Sequence, residues 1–450
     1  MHRLIATIGF LLFVLSGIRA QEQPDFNRIN NGTYRLYLEQ KWDSVIVMGN
    51  EALKQEMDYY YLRMRMGIAY YHRKNYRIAA AHFTAALDMN QDDPVALEYL
   101  YYSRLLSGKR DQANLVRDQF KGDLALRLPP LKGKFVDKIG VVYLYNLGLN
   151  DDLLSDPENV FTGLPPGFQY VSRRFSNVSL TLQNSISPGF SLVHGYTYLT
   201  KTDHYYYNDE TFNFYGSDLN VYLHQYYLSP RITTISGFTI MPVFHLINGH
   251  YQLPVEISTG GPSGFPRIGY YYDEFNDFVG GIGLVKGWGC IDLSLGAYYA
   301  TLNLSEQVQN RIGLTWYPTG NLNFYAGAYM NSQYEMTEGY GEFRIIPELQ
   351  LGFSISEKVW FDLNATAGEI SNYLENNGSI VYNSFSETID KKAKLSISIP
   401  VSDKGSLLFL GGRWTSNRSE FYALDATQTG ILNTLKFHTL SFYGGLSWKF

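Results

Sequence analysis

Beyond about Lys138 the chain alternates apolar and polar residues with a period of two. Val178, Leu180 and Leu182 set the pattern, followed by Leu219, Val221 and Leu223, and by Ile291, Leu293 and Leu295. It continues in Leu322, Phe324, Ala326 and Ala328, in Val359, Phe361, Leu363 and Ala365, and in Leu395, Ile397 and Ile399. Ser179, Thr181, Asn220, Tyr222, Asp292, Ser294, Asp362, Asn364, Lys394 and Ser396 fall between them. Successive strand residues point to opposite faces, so this pattern predicts strands with one apolar and one polar face. Residues 31–126 read differently, with helix-type spacing and a repeat. Trp42, Tyr76 and Arg110 are evenly spaced, and the same interval relates Val45, Ala79 and Ala113, and Gly49, Phe83 and Arg117. Leu128-Pro129-Pro130-Leu131-Lys132-Gly133 then ends the helices and opens a linker.

Turn signals punctuate the strands at Ser187-Pro188-Gly189, Ser229-Pro230, Gly287-Trp288-Gly289, Pro318-Thr319-Gly320, Ser356-Glu357-Lys358 and Ser402-Asp403-Lys404-Gly405. Two strands and a longer loop lie between consecutive signals. The expected loops are 151–167, 202–210, 249–276, 303–310, 333–339, 372–378 and 423–433. The longest, with Gly260, Gly261, Pro262 and Tyr270 to Tyr272, would stack on sugar rings, sit at an interface or constrict the lumen. Seven hairpins imply about 14 strands, or 12 if the first lies outside the sheet.

Leu440, Phe442, Gly444, Leu446, Trp448 and Phe450 share one face of the last eleven residues, opposite Ser441, Tyr443, Gly445, Ser447 and Lys449. An aromatic-bounded apolar face ending on Phe resembles the closing strand of bacterial outer-membrane β-barrels. That resemblance implies contact with outer-membrane lipids and recognition by the barrel-assembly machinery. The helical repeat, with its period of about 34 residues, resembles tetratricopeptide repeats. Gly67, Tyr70, Ala79, Phe83 and Ala86 stand at that family's offsets beside Trp42 and Tyr76, and Pro94 comes slightly late. It implies a short α-solenoid whose concave groove binds a periplasmic protein; a spacer or plug support is the alternative. The domain order is similar to exopolysaccharide-export porins, which have longer repeat arrays. The expected organisation is a signal peptide over residues 1–20, a linker over 21–30, helical repeats over 31–126, a Pro/Gly linker over 127–137 and a barrel over 138–450.

His2 and Arg3, the apolar run from Leu4 to Leu15 and Ala20 make the signal reading. Its removal takes away Arg3 and Arg19 and no acid, leaving 35 basic and 42 acidic residues, a formal charge of −7. That balance gives no reason to expect nucleic-acid binding. No later apolar run is long enough for a membrane helix, and the mean hydropathy of −0.19 suits a barrel in which alternate residues meet lipid. The 38 Tyr, 27 Phe and 6 Trp suit aromatic belts at the two membrane interfaces. Cys290 is the single cysteine, so no intrachain disulfide forms.

Little catalytic chemistry is legible. Asp203 and His204, with His245 and His250, are candidates for a rim acid–base group, but no nucleophile motif accompanies them. No metal, phosphate-loop or cofactor motif is present. If the polar face lines a lumen, Asp292, Arg311, Glu342, Arg344, Glu348, Asp362 and Arg413 point inward, either as a field that orients solutes or as pairs that fill the interior. Three function classes follow: a non-catalytic transport or export barrel with docking repeats, a membrane anchor or assembly scaffold without an open pore, and an outer-rim lipid- or glycan-modifying enzyme.

Overall fold

The computed structural model describes residues 26–129, 133–149, 165–208, 214–257, 267–337, 339–356, 358–384, 387–402, 405–423 and 431–450. The signal segment, most of the first expected loop and the Gly-rich centre of the longest one lie outside the described residues. The chain forms two compact units, Met1–Tyr99 and Leu100–Phe450.

The first unit is helical. It holds α1 (Phe26–Leu38), α2 (Trp42–Lys54), α3 (Tyr60–His72), α4 (Tyr76–Met89) and the start of α5 (Pro94–Leu106). The helices therefore begin at Phe26, inside the segment expected to be linker. A helix starts at Phe26, Tyr60 and Pro94, and another at Trp42 and Tyr76, so like helices recur at one constant interval. Gln40 and Lys74 end α1 and α3 in the left-handed region, at φ 54° and 57°. Small residues let the helices approach. A Cβ on Gly67 would lie 2.7 Å from Phe83, which is fully buried with Ala79 and Ala86. Trp42 stacks flat on His72, Tyr70 on His82, and Tyr76 meets Tyr71 edge-on.

The second unit holds the end of α5, α6 (Arg110–Arg117), α7 (Gly122–Arg127) and the strands. α6 starts as far after α4 as α4 does after α2, yet the division of the chain inside α5 groups it with the barrel. The strands are β1 (Lys134–Gly148), β2 (Gly167–Ser187), β3 (Phe190–Asn208), β4 (Phe214–Thr233), β5 (Phe238–Ile257), β6 (Arg267–Trp288), β7 (Ile291–Leu302), β8 (Ser305–Trp316), β9 (Phe324–Thr337), β10 (Tyr340–Ile355), β11 (Val359–Ile370), β12 (Tyr373–Glu375), β13 (Ile380–Tyr382), β14 (Thr388–Pro400), β15 (Leu407–Ala423) and β16 (Ile431–Lys449). Among the described residues, fourteen of them close an antiparallel barrel and β12–β13 form a separate hairpin. β16 closes the ring on β1, with Tyr145 opposite Phe442 and Ile139 opposite Trp448.

The outward face is the apolar one. Phe238, Phe244 and Leu246 on β5, Ile312, Leu314 and Trp316 on β8, and Phe442, Leu446, Trp448 and Phe450 near the C-terminus are all exposed, while Leu440 is half-covered. Above Leu246, the outward positions Asn248 and His250 are polar. The stretch from Phe238 to Leu246 spans roughly 21 Å across a bilayer at about 3.4 Å per residue and a tilt near 40°. An exposed girdle of that height suits lipid rather than water.

Several expected loops are wall instead. β3 continues through 202–208, β5 and β6 fill most of 249–276, and the 303–310 loop shrinks to a turn at Asn303-Leu304, with φ 54° and 64°. Ser229-Pro230 is no turn. Both lie within β4, paired with Val193 and Leu192, and the chain reverses at residues 234–237 instead. The β4–β5 ladder skips residues 229–231, where Pro230 has no N–H to donate. β2 to β6 reach 19–22 residues whereas β7 and β8 have 12, so the wall is much taller on one side. Above the girdle no phase demands apolar residues outside, so alternation fades and a strand reads as a loop.

Some of the tyrosine has an inward role that the belt reading misses. Tyr298 covers cross-strand Gly281, Tyr329 covers Gly313, and Tyr443 covers Gly411, each ring filling the place of the missing side chain.

Candidate functional site

The inward face of the barrel is largely polar, and most of its charged groups named from the sequence are paired or hydrogen-bonded. Arg311 pairs with Glu348 at 2.6 Å, and Asn364 donates to the other oxygen of Glu348 at 2.7 Å. Arg344 pairs with Glu335 and, toward the rim, with the half-exposed Glu342. Asp362 accepts from Tyr325 at 2.5 Å and Gln350 at 2.8 Å. Asp292 meets Lys109, the residue just before α6, at 3.2 Å. Arg413 differs: its bonds go to neutral oxygens, Tyr382 at 3.4 Å and Ser441 at 3.2 Å. Burying ions in a low-dielectric wall is tolerable only when charge or hydrogen bonds compensate, which explains this dense pairing.

The segment expected as an outer loop at 372–378 turns into the lumen. β12 and β13 join through Asn376-Asn377-Gly378, all with positive φ, and Tyr373, Leu374 and Glu375 are buried. The sequence did carry a signal here. An Asn-Asn-Gly run between Tyr-Leu-Glu and Ile-Val-Tyr is a hairpin pattern, although it says nothing of inside or outside. Gln309 fixes the hairpin from β8, donating to Leu374 O at 2.7 Å and accepting from Leu374 N at 2.9 Å. From the same side His245 Nδ1 donates to Gly378 O at 2.8 Å and Tyr298 donates to Asn377 at 3.0 Å. Leu374 also packs with Val243, Ile247, Val279 and Tyr298. On the far side Lys392, its side chain fully buried, reaches Glu375 at 2.6 Å, and Tyr382 donates to the same carboxylate at 2.7 Å. The hairpin is thus tied to two walls of the lumen.

Two further contacts narrow the ends. At the turn end, α6 underlies the barrel. Besides Lys109–Asp292, Arg110 meets Asp137 of β1 at 3.5 Å and Gln112 donates to Gly237 O at 3.3 Å. Leu115 lies against Gly189 in the β2–β3 turn. At the opposite end β1 stops at Gly148, and the free edge of β2 pairs with β15 at Phe168–Tyr422 and Gly167–Ala423. Val171, Tyr206, Phe421 and Phe437 form a small core beneath that crossing. Between these constrictions lies a cavity of about 630 Å³, bounded by the hairpin and by β1–β6, β11 and β14–β16, with Phe175, Leu223, Phe409 and Tyr443 among its walls.

The rim acid–base group does not assemble. Asp203 and His204 are neighbours on a strand and so point to opposite faces. Asp203 turns inward to Lys201 at 3.0 Å, while His204 meets Asp218 and Arg173 approaches the same carboxylate. His245 is the buried tether just described, and His250 pairs outside with Glu274 at 3.2 Å. Among the described residues no cluster of His, Cys, Asp and Glu fits a metal ion.

No protein-family model and no curated protein sequence matches the chain. Solved structures of related outline include the Pseudomonas putida toluene transporter TodX, at 8% identity and a TM-score of 0.44 over 74% of this chain and 95% of that one. The Ralstonia pickettii toluene transporter TbuX follows at 8% and 0.42, over 73% and 94%. A Pseudomonas aeruginosa FadL homologue stands at 8% and 0.41, over 70% and 90%. Likeness at that level carries nothing about cargo or mechanism; what the chain does has to be read from its own barrel and cavity.

Proposed function

We propose that the chain is a non-catalytic outer-membrane transport barrel with a gated lumen, its N-terminal helices lying in the periplasm and docking a protein partner. The observation that carries the transport reading is the cavity of about 630 Å³ inside a closed fourteen-strand ring. A ring of that size encloses more than its own side chains fill, and a hairpin held by discrete polar contacts is a part that can move. The exposed apolar girdle supports the membrane setting, and the aromatic C-terminal strand supports its assembly there.

The constant interval between like helices supports a tetratricopeptide-like groove in the first unit. The docking role rests on that likeness and on exposed aromatics such as Tyr34 and Tyr61. A second reading, an anchor without an open pore, is favoured by the α6 contacts and the β2–β15 crossing, which narrow both ends.

Single-channel recording in planar bilayers separates the two. The full chain should conduct in brief, small steps, and a chain lacking residues 21–99 should conduct at least as well. Silence in both forms, and in a variant with a loosened hairpin, would leave only the anchor. For docking, affinity purification of the full and shortened chains should differ by a stoichiometric periplasmic protein; identical eluates count against it.

A further inference from the structure

On the taller side of the barrel β5 and β6 stay paired well past the girdle, up to Ile257 opposite Arg267. The even-numbered residues of both strands face outward, and Leu246 opposite Phe278 makes the last apolar row. The rows above it are Asn248 opposite Asn276, His250 opposite Glu274, Gln252 opposite Tyr272 and Pro254 opposite Tyr270. Apolar side chains thus give way to an amide pair and an ion pair, and then to two phenol rings. At about 3.4 Å per residue and a tilt near 40°, the rings stand roughly 16 and 21 Å above the Leu246 row. That is beyond the interface where tyrosine belts lie.

The rings are held but not covered. Gln252, itself buried, donates to the Tyr272 hydroxyl at 3.0 Å and accepts from Asn220 N at 2.7 Å. Tyr270 meets Tyr272 edge-on, with centroids 5.8 Å apart. Both still remain more than half exposed, at 53% and 60%. A ring fixed at its edge and open on its face adds little to folding and is preset for contact. Below the rings Asn248 donates to Asn276 at 3.0 Å. His250 is the one cation-forming group of these rows, and Glu274 faces it at 3.2 Å with most of its side chain still exposed. The face therefore lacks the surplus positive charge that would hold a phosphate. It offers amides, a carboxylate and open aromatic rings, which suit neutral hydroxyls and the C–H faces of sugars.

We propose that this outward face of β5–β6 docks the oligosaccharide of an outer-leaflet glycolipid. Its sugar rings stack on Tyr270 and Tyr272, and its hydroxyls bond to Asn248, Asn276 and Glu274. Continuity identifies the lipid-linked source: the same two strands present apolar residues to the bilayer just below, so a sugar anchored by acyl chains is carried to these rows by its own tail. The site rests on the membrane setting proposed above and is independent of transport through the lumen.

The test titrates the full-length protein in non-ionic detergent with two lipids and counts the bound molecules by native mass spectrometry. One is rough-type lipopolysaccharide, which carries core sugars; the other is lipid A, which ends at its two acylated glucosamines. Two stacked rings should make the core-bearing lipid bind about tenfold tighter. The double variant Tyr270→Ala with Tyr272→Ala should lose that preference while binding lipid A within about twofold of the native chain. Tyr272→Ala alone stands in if the double variant loses the heat-modifiable gel mobility of a folded barrel. Tyr272→Trp should keep the preference, and Tyr340→Ala, which removes another exposed ring at the start of β10, should leave it unchanged. Equal binding of the two lipids, or a preference that survives loss of the rings, would overturn the site. Free core oligosaccharide binding as tightly as the whole glycolipid would overturn the lipid-linked occupant. A chain that stays dispersed without detergent would remove the membrane setting and the site together. A barrel that is silent in bilayers yet prefers the core-bearing lipid keeps the site and loses transport.

Discussion

Replacing Glu375 by Leu isolates the buried ion pair that holds the lumenal hairpin to β14. Lys392 has no solvent-exposed side-chain surface, and its charge is met by Glu375 at 2.6 Å with the Tyr382 hydroxyl at 3.2 Å. Removing one partner of such a buried pair costs about 3–5 kcal/mol, because the other ion is left unneutralised. The barrel wall does not depend on this contact, so the loss falls on hairpin docking. At about 1.4 kcal/mol per tenfold, opening of the hairpin becomes two to three orders of magnitude more frequent. Hydrogen exchange of the full chain in detergent reads this directly. Amides of residues 372–383, including the Leu374 N–H held by Gln309, should exchange at least about a hundredfold faster, while β8 stays protected. Conductance should rise in parallel. The double change Glu375→Leu with Lys392→Met removes both charges and should recover most of the protection, since an apolar pair of similar size is often no less stable. Unchanged exchange in the single variant, or a double variant no better than the single, would refute the reasoning.

Gly67→Ala brings a methyl group to 2.7 Å from the ring of buried Phe83, and overpacking of this kind should cost about 1–3 kcal/mol, read as faster exchange across α3 and α4 with the barrel unaffected. Burial, with the Arg63 guanidinium beside it, pushes the His82 imidazole down from 6.5 to about 4. The folded helices thus favour the neutral ring, so their stability is full above about pH 6.5 and declines by up to about 3 kcal/mol as pH falls toward 4; His82→Gln should flatten that dependence, and a slope of the opposite sign would contradict it. Lys109→Ala removes the α6 contact to Asp292, which is partly exposed and worth at most about 1 kcal/mol; it should lengthen open events in bilayers modestly, without changing gel mobility.

Which side of each strand meets lipid was legible from single residues. Ile312 and Leu314 alternate with Arg311 and Gly313, and a one-residue slip would bury every charge in the membrane, so the pattern admits one register. Strand number was legible too, from turn chemistry at Pro188-Gly189 and Gly320. The even spacing of Trp42, Tyr76 and Arg110 marked the helices for a comparable reason, since each pair must bury the same small residues against its neighbour. What the pattern could not carry was anything decided across the lumen. Asn376-Asn377-Gly378 dictates a reversal whether the hairpin points out or in. Only the closed ring sets Gln309, His245 and Lys392 around it, a gap of up to 133 residues between His245 and Gly378. The same holds for Lys109 with Asp292. Local periodicity is enforced by solvent and lipid at each residue, whereas the choice of partner across a cavity is enforced only once the far wall is in place.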